Sequence, residues 1–206
     1  MVGRNPSRWV VQKGAGMRVG VVIAGVLTSV VLTGCGSSGP GNGPSTSGQQ
    51  SASTTPTIAA DAPAGFDPCH DIPAAVLDSE GLGHKPDDAN ADGSGGVKWR
   101  GCSYFEDDGY GVSIRTTNIT LPMVRSNSGF VAAEELNIGG RAALTYHDTD
   151  QPDQRGFCLL NLEMRGGSLE ISIDNPATRK RSGTLASCDI AKGLATKLVP
   201  LIPTGQ

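Results

Sequence analysis

The sequence CLLNLEMRGGSLEISI, at residues 158–173, decides the fold class of this chain. Apolar side chains recur at every second position before the glycine turn (Cys158, Leu160, Leu162, Met164) and again after it (Leu169, Ile171, Ile173). A period of two predicts strands with one buried face, and two such runs around a short glycine turn predict a β-hairpin. The residues between the apolar ones in the first strand are then expected to point outward: Leu159, Asn161 and Glu163.

Patterns on either side of this hairpin predict an α+β fold. Residues 97–105 and 110–117 read as a second hairpin, and residues 138–147 as a further strand. A first helix is expected after Asp71, as its N-cap, up to Gly81, and a short one over residues 120–127. Residues 187–202 place an apolar stripe on one side of a C-terminal amphipathic helix: Ile190, Leu194, Leu198 and Leu201. We therefore predict a mostly antiparallel sheet of about five strands with a helix before it, a short helix within it and the amphipathic helix after it.

An uncharged apolar run lies near the N-terminus and ends at a lone cysteine. The run VGVVIAGVLTSVVL occupies residues 19–32, directly after Arg18, and is followed by Thr33, Gly34 and Cys35. Its length is short for a membrane-spanning helix and typical of a secretory signal. The stretch Leu-Thr-Gly-Cys resembles a bacterial lipobox. That resemblance implies cleavage before Cys35 and a diacylglyceryl group on its thiol, so we expect an extracytoplasmic protein anchored in the cell membrane.

These features divide the chain into three parts. Residues 1–34 are the predicted lipoprotein signal peptide, with Met17 as the expected true start. Residues 35–65 consist almost entirely of Gly, Ser, Thr, Pro and Ala, which favours a disordered tether because such a segment has little apolar surface to bury. Residues 66–206 are long enough for one globular domain.

The charge of the chain limits the kinds of ligand that it can bind. Removal of residues 1–34 removes four basic residues and no acidic residue, which changes the formal charge from −3 to −7. An acidic chain argues against binding to nucleic acid. The one basic run, Arg179-Lys180-Arg181, is interpreted as a solvated loop rather than a contact with anionic lipid.

Four cysteines remain once Cys35 is assigned to the lipid. They lack metal-site spacing, and an oxidising location favours two disulfides. Cys158 lies on the apolar face of its strand, and Cys188 opens the helix expected to cover that face. This favours Cys158 with Cys188 and Cys69 with Cys102, while the other two connectivities stay open.

Four short motifs lie along residues 66–203: Asp67-Pro68-Cys69 (D-P-C), Trp99-Arg100-Gly101-Cys102 (W-x-x-C), Gly140-Arg141-Ala142-Ala143, and Cys188 with the Leu-x-Pro ending of its helix. With these motifs the chain resembles a family of actinobacterial, especially mycobacterial, lipoproteins that contain a domain of unknown function. Tyr104 stands where members of the family often have tryptophan. The resemblance implies an exported, lipid-anchored, disulfide-containing domain and brings no catalytic motif.

Three other patterns have weaker functional interpretations. Residues 88–93, DANADG, match the start of a calcium loop, but position twelve is Trp99 instead of a carboxylate, so a solvated turn is favoured. His147 is interpreted as a surface residue at a strand end; the alternative is a hydrolase site with a nearby acid and serine. Aromatic residues around residues 97–110 are interpreted as core, with a ligand groove as the alternative.

The sequence therefore favours a non-enzymatic binding or accessory module of the cell envelope, without a cofactor or metal. Its expected partners are the membrane, through Cys35, and an envelope protein, lipid or glycan. An envelope hydrolase and an extracytoplasmic solute-sensing domain remain alternatives.

Overall fold

The computed structural model describes residues 57–83, 85–151 and 153–205. The predicted signal peptide, Cys35 and most of the predicted tether lie outside these residues. Within them, no helix is both long and apolar enough to cross a membrane. The part of the predicted tether that is described contacts the domain, since Asn118 Nδ2 donates a hydrogen bond to the carbonyl of Ala59 over 2.7 Å.

The described chain forms one eight-stranded antiparallel sheet with three α-helices. The strands are β1 (Asp87–Asp88), β2 (Ala91–Asp92), β3 (Lys98–Phe105), β4 (Gly111–Thr117), β5 (Phe130–Ile138), β6 (Arg141–Asp148), β7 (Phe157–Met164) and β8 (Gly167–Asp174). The helices are α1 (Ala74–Glu80), α2 (Leu121–Ser126) and α3 (Ser187–Leu198). The strand order is β1-β3-β4-β8-β7-β6-β5, and β2 also pairs with β3. The predicted fold class, the mostly antiparallel sheet and the C-terminal helix are confirmed.

The number of strands is larger than the predicted five. β5 was missed because most of its residues are exposed at the sheet edge, so burial imposes no apolar alternation on them. β1 and β2 have two residues each and pair with β3. They overlap residues 88–93, for which a solvated turn was predicted. The predicted strand 138–147 divides at Gly139 and Gly140, which take positive φ values in the turn between β5 and β6.

The hairpin of β7 and β8 forms as predicted, with a two-residue turn at Arg165 and Gly166. The prediction that Leu159 and Asn161 point to solvent is wrong, since they are 8% and 0% exposed. They lie on a second covered face of the sheet, where α2 and the segment before it pack. Ile119, Leu121 and Val124 belong to that second apolar cluster.

The main core lies on the other face of the sheet. There α3 contributes Ile190, Leu194 and Leu198, and α1 contributes Leu77. The amphipathic character predicted for the C-terminal helix is therefore confirmed. α1 begins after Pro73 without a side-chain cap, so the assignment of Asp71 as its N-cap is wrong, and it ends at Gly81, as predicted. Asp71 instead accepts a hydrogen bond from the N–H of Asp67.

Two disulfides join these elements, as the cysteine count predicted. Cys69 pairs with Cys102, so that the turn before α1 is joined to β3, and Cys158 pairs with Cys188, so that β7 is joined to α3. Each bridge closes a loop of about 30 residues and is expected to contribute roughly 3–4 kcal/mol to the free energy of unfolding.

Candidate functional site

An open cavity of about 620 Å³ lies beside the Cys69–Cys102 disulfide. One wall contains the D-P-C residues Asp67, Pro68 and Cys69. The adjoining wall, which this disulfide joins to the first, contains residues 100–102 of the W-x-x-C motif, and residues 62–64 at the end of the predicted tether also belong to the lining. The two sequence motifs, far apart in the chain, therefore meet at one concave site.

A tight turn at residues 67–71 builds the first wall. The Asp67 carboxylate accepts hydrogen bonds from the N–H of Cys69 over 2.8 Å and from His70 Nδ1 over 2.8 Å. These hydrogen bonds, that of His70 first, hold the pKa of Asp67 below its ordinary value. From the core side, the buried Tyr104 hydroxyl donates to the carbonyl of Pro68 over 2.6 Å. The turn is thus anchored at its side chains and at its backbone.

The second wall is formed where β1 and β2 lie along β3. The side-chain oxygen of Asn90 accepts from the N–H of Gly101 over 2.9 Å, and the N–H of Ala89 donates to the carbonyl of Gly101 over 3.0 Å. Gly101 has no space for a side chain, because a Cβ there would lie 2.2 Å from the carbonyl oxygen of Ile114. This close approach explains a glycine directly before Cys102.

Arg100 is the only arginine among the described residues that line the cavity. Its Nη1 donates to the carbonyl of Trp99 over 2.7 Å, and its Nη2 lies 2.7 Å from a carboxylate oxygen of Asp92. Lys98 contacts the same carboxylate, and the two cations lower the pKa of Asp92. Arg100 is therefore held in place by neighbouring groups and its charge is compensated.

This arrangement is suited to binding. Thr116 carries the only side-chain hydroxyl among the described lining residues. This hydroxyl is buried and donates a hydrogen bond to the carbonyl of Arg100 over 3.3 Å. The lining combines apolar surface from Phe66, alanines and prolines with hydrogen-bonding groups whose charges are paired locally. Such a surface fits a neutral ligand with both apolar and hydrogen-bonding groups better than a free ion.

The side chains of the calcium-like segment and of the basic run contact neighbouring residues. In the calcium-like segment, Asp88 accepts from the N–H of Asn90 while Asp92 pairs with Lys98 and Arg100. These side chains thus have partners of their own along β3 and do not form a shared ligand set. In the basic run, Arg181 and Lys180 lie 3.1 and 3.7 Å from acidic groups of Glu106 and Asp108.

The aromatic residues around the first hairpin do not line one groove. Tyr104 and Tyr110 belong to the main core and Trp99 to the second cluster, all three nearly buried. Trp99 Nε1 donates to Glu170 over 3.2 Å. Phe105 is 57% exposed. The interpretation of most of this set as core is the one that the structure favours.

His147 is buried, contrary to the prediction of a surface position. It is 6% exposed, and its Nε2 lies 3.7 Å from Cys188 Sγ. Its Nδ1 has no hydrogen-bond partner among the described residues. The acid and serine required for a hydrolase site are therefore not in contact with this imidazole in the described part of the chain. Spacing in the sequence could not reveal this position, because Cys188 is 41 residues away.

A family model described as a protein of unknown function (DUF3558) matches residues 30–201. The chain belongs to the DUF3558 family. The matched residues include both walls of the cavity and all four disulfide cysteines of this DUF3558 domain. No curated protein and no solved structure matches the chain.

Proposed function

We propose that this DUF3558 protein is a lipid-anchored, non-enzymatic binding module of the cell envelope, and that the cavity beside Cys69–Cys102 is its binding site. The observation that supports the site is the meeting of the D-P-C and W-x-x-C residues in one open cavity of about 620 Å³. Pockets of this size are typical of small-ligand sites. The proposed ligand is a glycan, a lipid headgroup region or a peptide segment with neutral hydrogen-bonding groups.

The sequence around Cys35 supports the proposed anchor. A basic residue, a 14-residue apolar run and the Leu-Thr-Gly-Cys stretch follow one another in the order of a lipoprotein signal. The segment after Cys35 then links the anchor to the domain, and its last residues line the cavity. A ligand bound there would lie next to the point where the tether meets the domain.

Metabolic labelling tests the anchor. Cells that express the full chain are fed labelled palmitate, and the wild type is compared with Cys35→Ala. The wild type is expected to incorporate label and to fractionate with the membrane, whereas Cys35→Ala is expected to incorporate no label. Label retained in Cys35→Ala would contradict the proposed anchor.

Ligand titration tests the site. Amide chemical shifts of the full mature chain are followed while envelope glycan, lipid and peptide fractions are added in turn. Ala64, an exposed residue of the cavity lining, is changed to Trp to narrow the cavity, and exposed Ala60, which is not among the described lining residues, is changed to Trp as the matched control. We expect one fraction to shift residues 67–70 and 100–102 and Ala64→Trp alone to weaken binding about tenfold or more, about 1.4 kcal/mol. Shifts centred elsewhere, or equal effects of both variants, would contradict the site.

A further inference from the structure

The second disulfide lies against the buried imidazole of His147. One ring nitrogen of His147 and the sulfurs of Cys158 and Cys188 all lie within 4.8 Å of one another. Cys158 is fully buried, whereas Cys188 is partly exposed. Of the two cysteines, Cys188 is therefore the one with solvent-exposed surface.

Three elements bring these groups together. β6 and β7 pair in a register that sets Thr145 opposite Leu160, and its continuation sets His147 opposite Cys158. Cys188 is the second residue of α3, a twelve-residue helix whose start has no side-chain cap.

Polar groups around the cluster lack partners. Five buried side-chain polar atoms have no hydrogen-bond partner among the described residues, and three of them belong to Thr145, His147 and Ser187. Thr145 precedes His147 on the same face of β6, and Ser187 directly precedes Cys188. Unsatisfied buried groups are rare in folded proteins, and a redox or catalytic role is one of the reasons for which they are kept.

We propose that Cys158, Cys188 and His147 form a thiol–disulfide exchange centre whose substrate is a dithiol. One thiol of the substrate loses its proton to His147 and attacks Cys188 Sγ. A mixed disulfide to Cys188 forms, the Cys158–Cys188 bond breaks, and Cys158 leaves as a thiolate that takes the proton from His147. The second thiol of the substrate then attacks the substrate sulfur that is bonded to Cys188. The mixed disulfide breaks, and Cys188 leaves and takes the second proton. The substrate becomes a disulfide, and its two electrons and two protons remain on the two cysteines.

The first disulfide has no comparable neighbour among the described residues. His70 adjoins Cys69 in sequence, but its Nδ1 lies 2.8 Å from Asp67 and its side chain is 81% exposed. Within the described part of the chain, the two disulfides thus serve as an internal comparison, because they close loops of similar length and only Cys158–Cys188 has a buried imidazole at its sulfur.

Reduction kinetics of the full chain test the proposal, with dithiothreitol as the dithiol. Samples in native buffer are quenched by alkylation, and mass spectrometry follows the opening of each bridge. We expect His147→Gln to slow the opening of Cys158–Cys188 by about tenfold or more, since general acid–base groups contribute on the order of 10²-fold or more. The rate for Cys69–Cys102 is expected to stay unchanged, and His70→Gln, the matched control, to alter neither rate. If His147 had only a structural role, its replacement would loosen the packing around the disulfide, and Cys158–Cys188 would be reduced faster instead of more slowly. An unchanged or faster rate in His147→Gln overturns the proposal.

A second measurement needs no variant and is therefore independent of how His147→Gln folds. Glutathione, a monothiol, is added to the wild-type protein, and the mixed disulfide is trapped and located. The proposal expects glutathione on Cys188, the partly exposed cysteine of the pair. Trapping on Cys158, or on the Cys69–Cys102 pair alone, overturns it.

Discussion

The two disulfides of this domain span similar loops, with sequence separations of 33 and 30 residues, but their surroundings differ. Around Cys69–Cys102 the neighbouring turn has its polar groups paired, from the Asp67 carboxylate to the carbonyl of Pro68. Around Cys158–Cys188, buried polar atoms of Thr145, His147 and Ser187 have no hydrogen-bond partner among the described residues. The same covalent bond thus lies beside paired polar groups at one site and beside unpaired ones at the other.

This difference has a thermodynamic consequence. Loop entropy is nearly equal for the two bridges, so contrasts in stability must arise from the groups around them. Polar groups that are fully paired stabilise the fold, and their removal should cost free energy. Polar groups that are buried without partners destabilise the fold, and their replacement by apolar groups should be neutral or favourable.

The largest expected effect is the removal of the buried bridge. Cys158→Ala/Cys188→Ala should lower the free energy of unfolding by about 3–5 kcal/mol, because the loop entropy is lost and buried sulfur is removed between the sheet and α3. Cys69→Ala/Cys102→Ala, with Cys69 partly exposed at the cavity, should lower it by about 2–4 kcal/mol. Urea unfolding of both variants measures the difference. A greater loss at Cys69–Cys102 would contradict the comparison.

A smaller effect is expected at the wall of the cavity. Tyr104→Phe removes the hydroxyl that donates to Pro68, leaves that buried carbonyl unsatisfied, and should cost about 1–2 kcal/mol in urea unfolding. Ser126→Ala is the control, because it removes an exposed hydroxyl that donates to the carbonyl of Met123, and it should cost less than about 0.5 kcal/mol. Equal effects would show that the wall is not stabilised by this contact.

At the second bridge the sign is expected to reverse. Thr145→Val and Ser187→Ala each remove a buried hydroxyl without a partner in the described structure, and each should raise the free energy of unfolding by about 0.5–1 kcal/mol. Thermal unfolding followed by circular dichroism measures this gain. A loss of stability in both variants would mean that these hydroxyls are satisfied in solution, which removes the contrast between the two sites.

The smallest effect concerns pH. The pKa of Asp67 in the folded protein is below its ordinary value of 3.8, so its ionised form stabilises the fold above that value. This contribution is lost as the pH falls through the pKa of the folded state. Because the side chain is about half exposed, we expect less than about 1 kcal/mol. The stability difference between the wild type and Asp67→Asn should therefore shrink from pH 6 to pH 3, and a difference independent of pH would contradict the assignment.

Much of the fold could be predicted because burial imposes periodicity on sequence. Leu169, Ile171 and Ile173 alternate on one face of β8, and Ile190, Leu194 and Leu198 recur with the helical period of α3. β5 could not be found in this way, since it lies at an edge and most of its residues are exposed. The second covered face was also missed, because Leu159 and Asn161 are buried by α2, an element distant in sequence.

The candidate site was only partly visible in the sequence. The D-P-C and W-x-x-C motifs were recognised as separate elements, and no spacing rule indicates that they line one cavity. The contact between His147 and Cys188 was missed for a similar reason, since it depends on the strand register and on where α3 begins.

The sequence by itself determined the strand and helix periods and the supply of four cysteines for two disulfides, since local alternation and residue identity are properties of the chain. Only the tertiary structure decided which polar groups are paired, which are buried without partners among the described residues, and that residues 67–69 and 100–102 line one cavity. These properties depend on long-range packing, because a hydrogen bond or a concave surface exists only once distant segments meet.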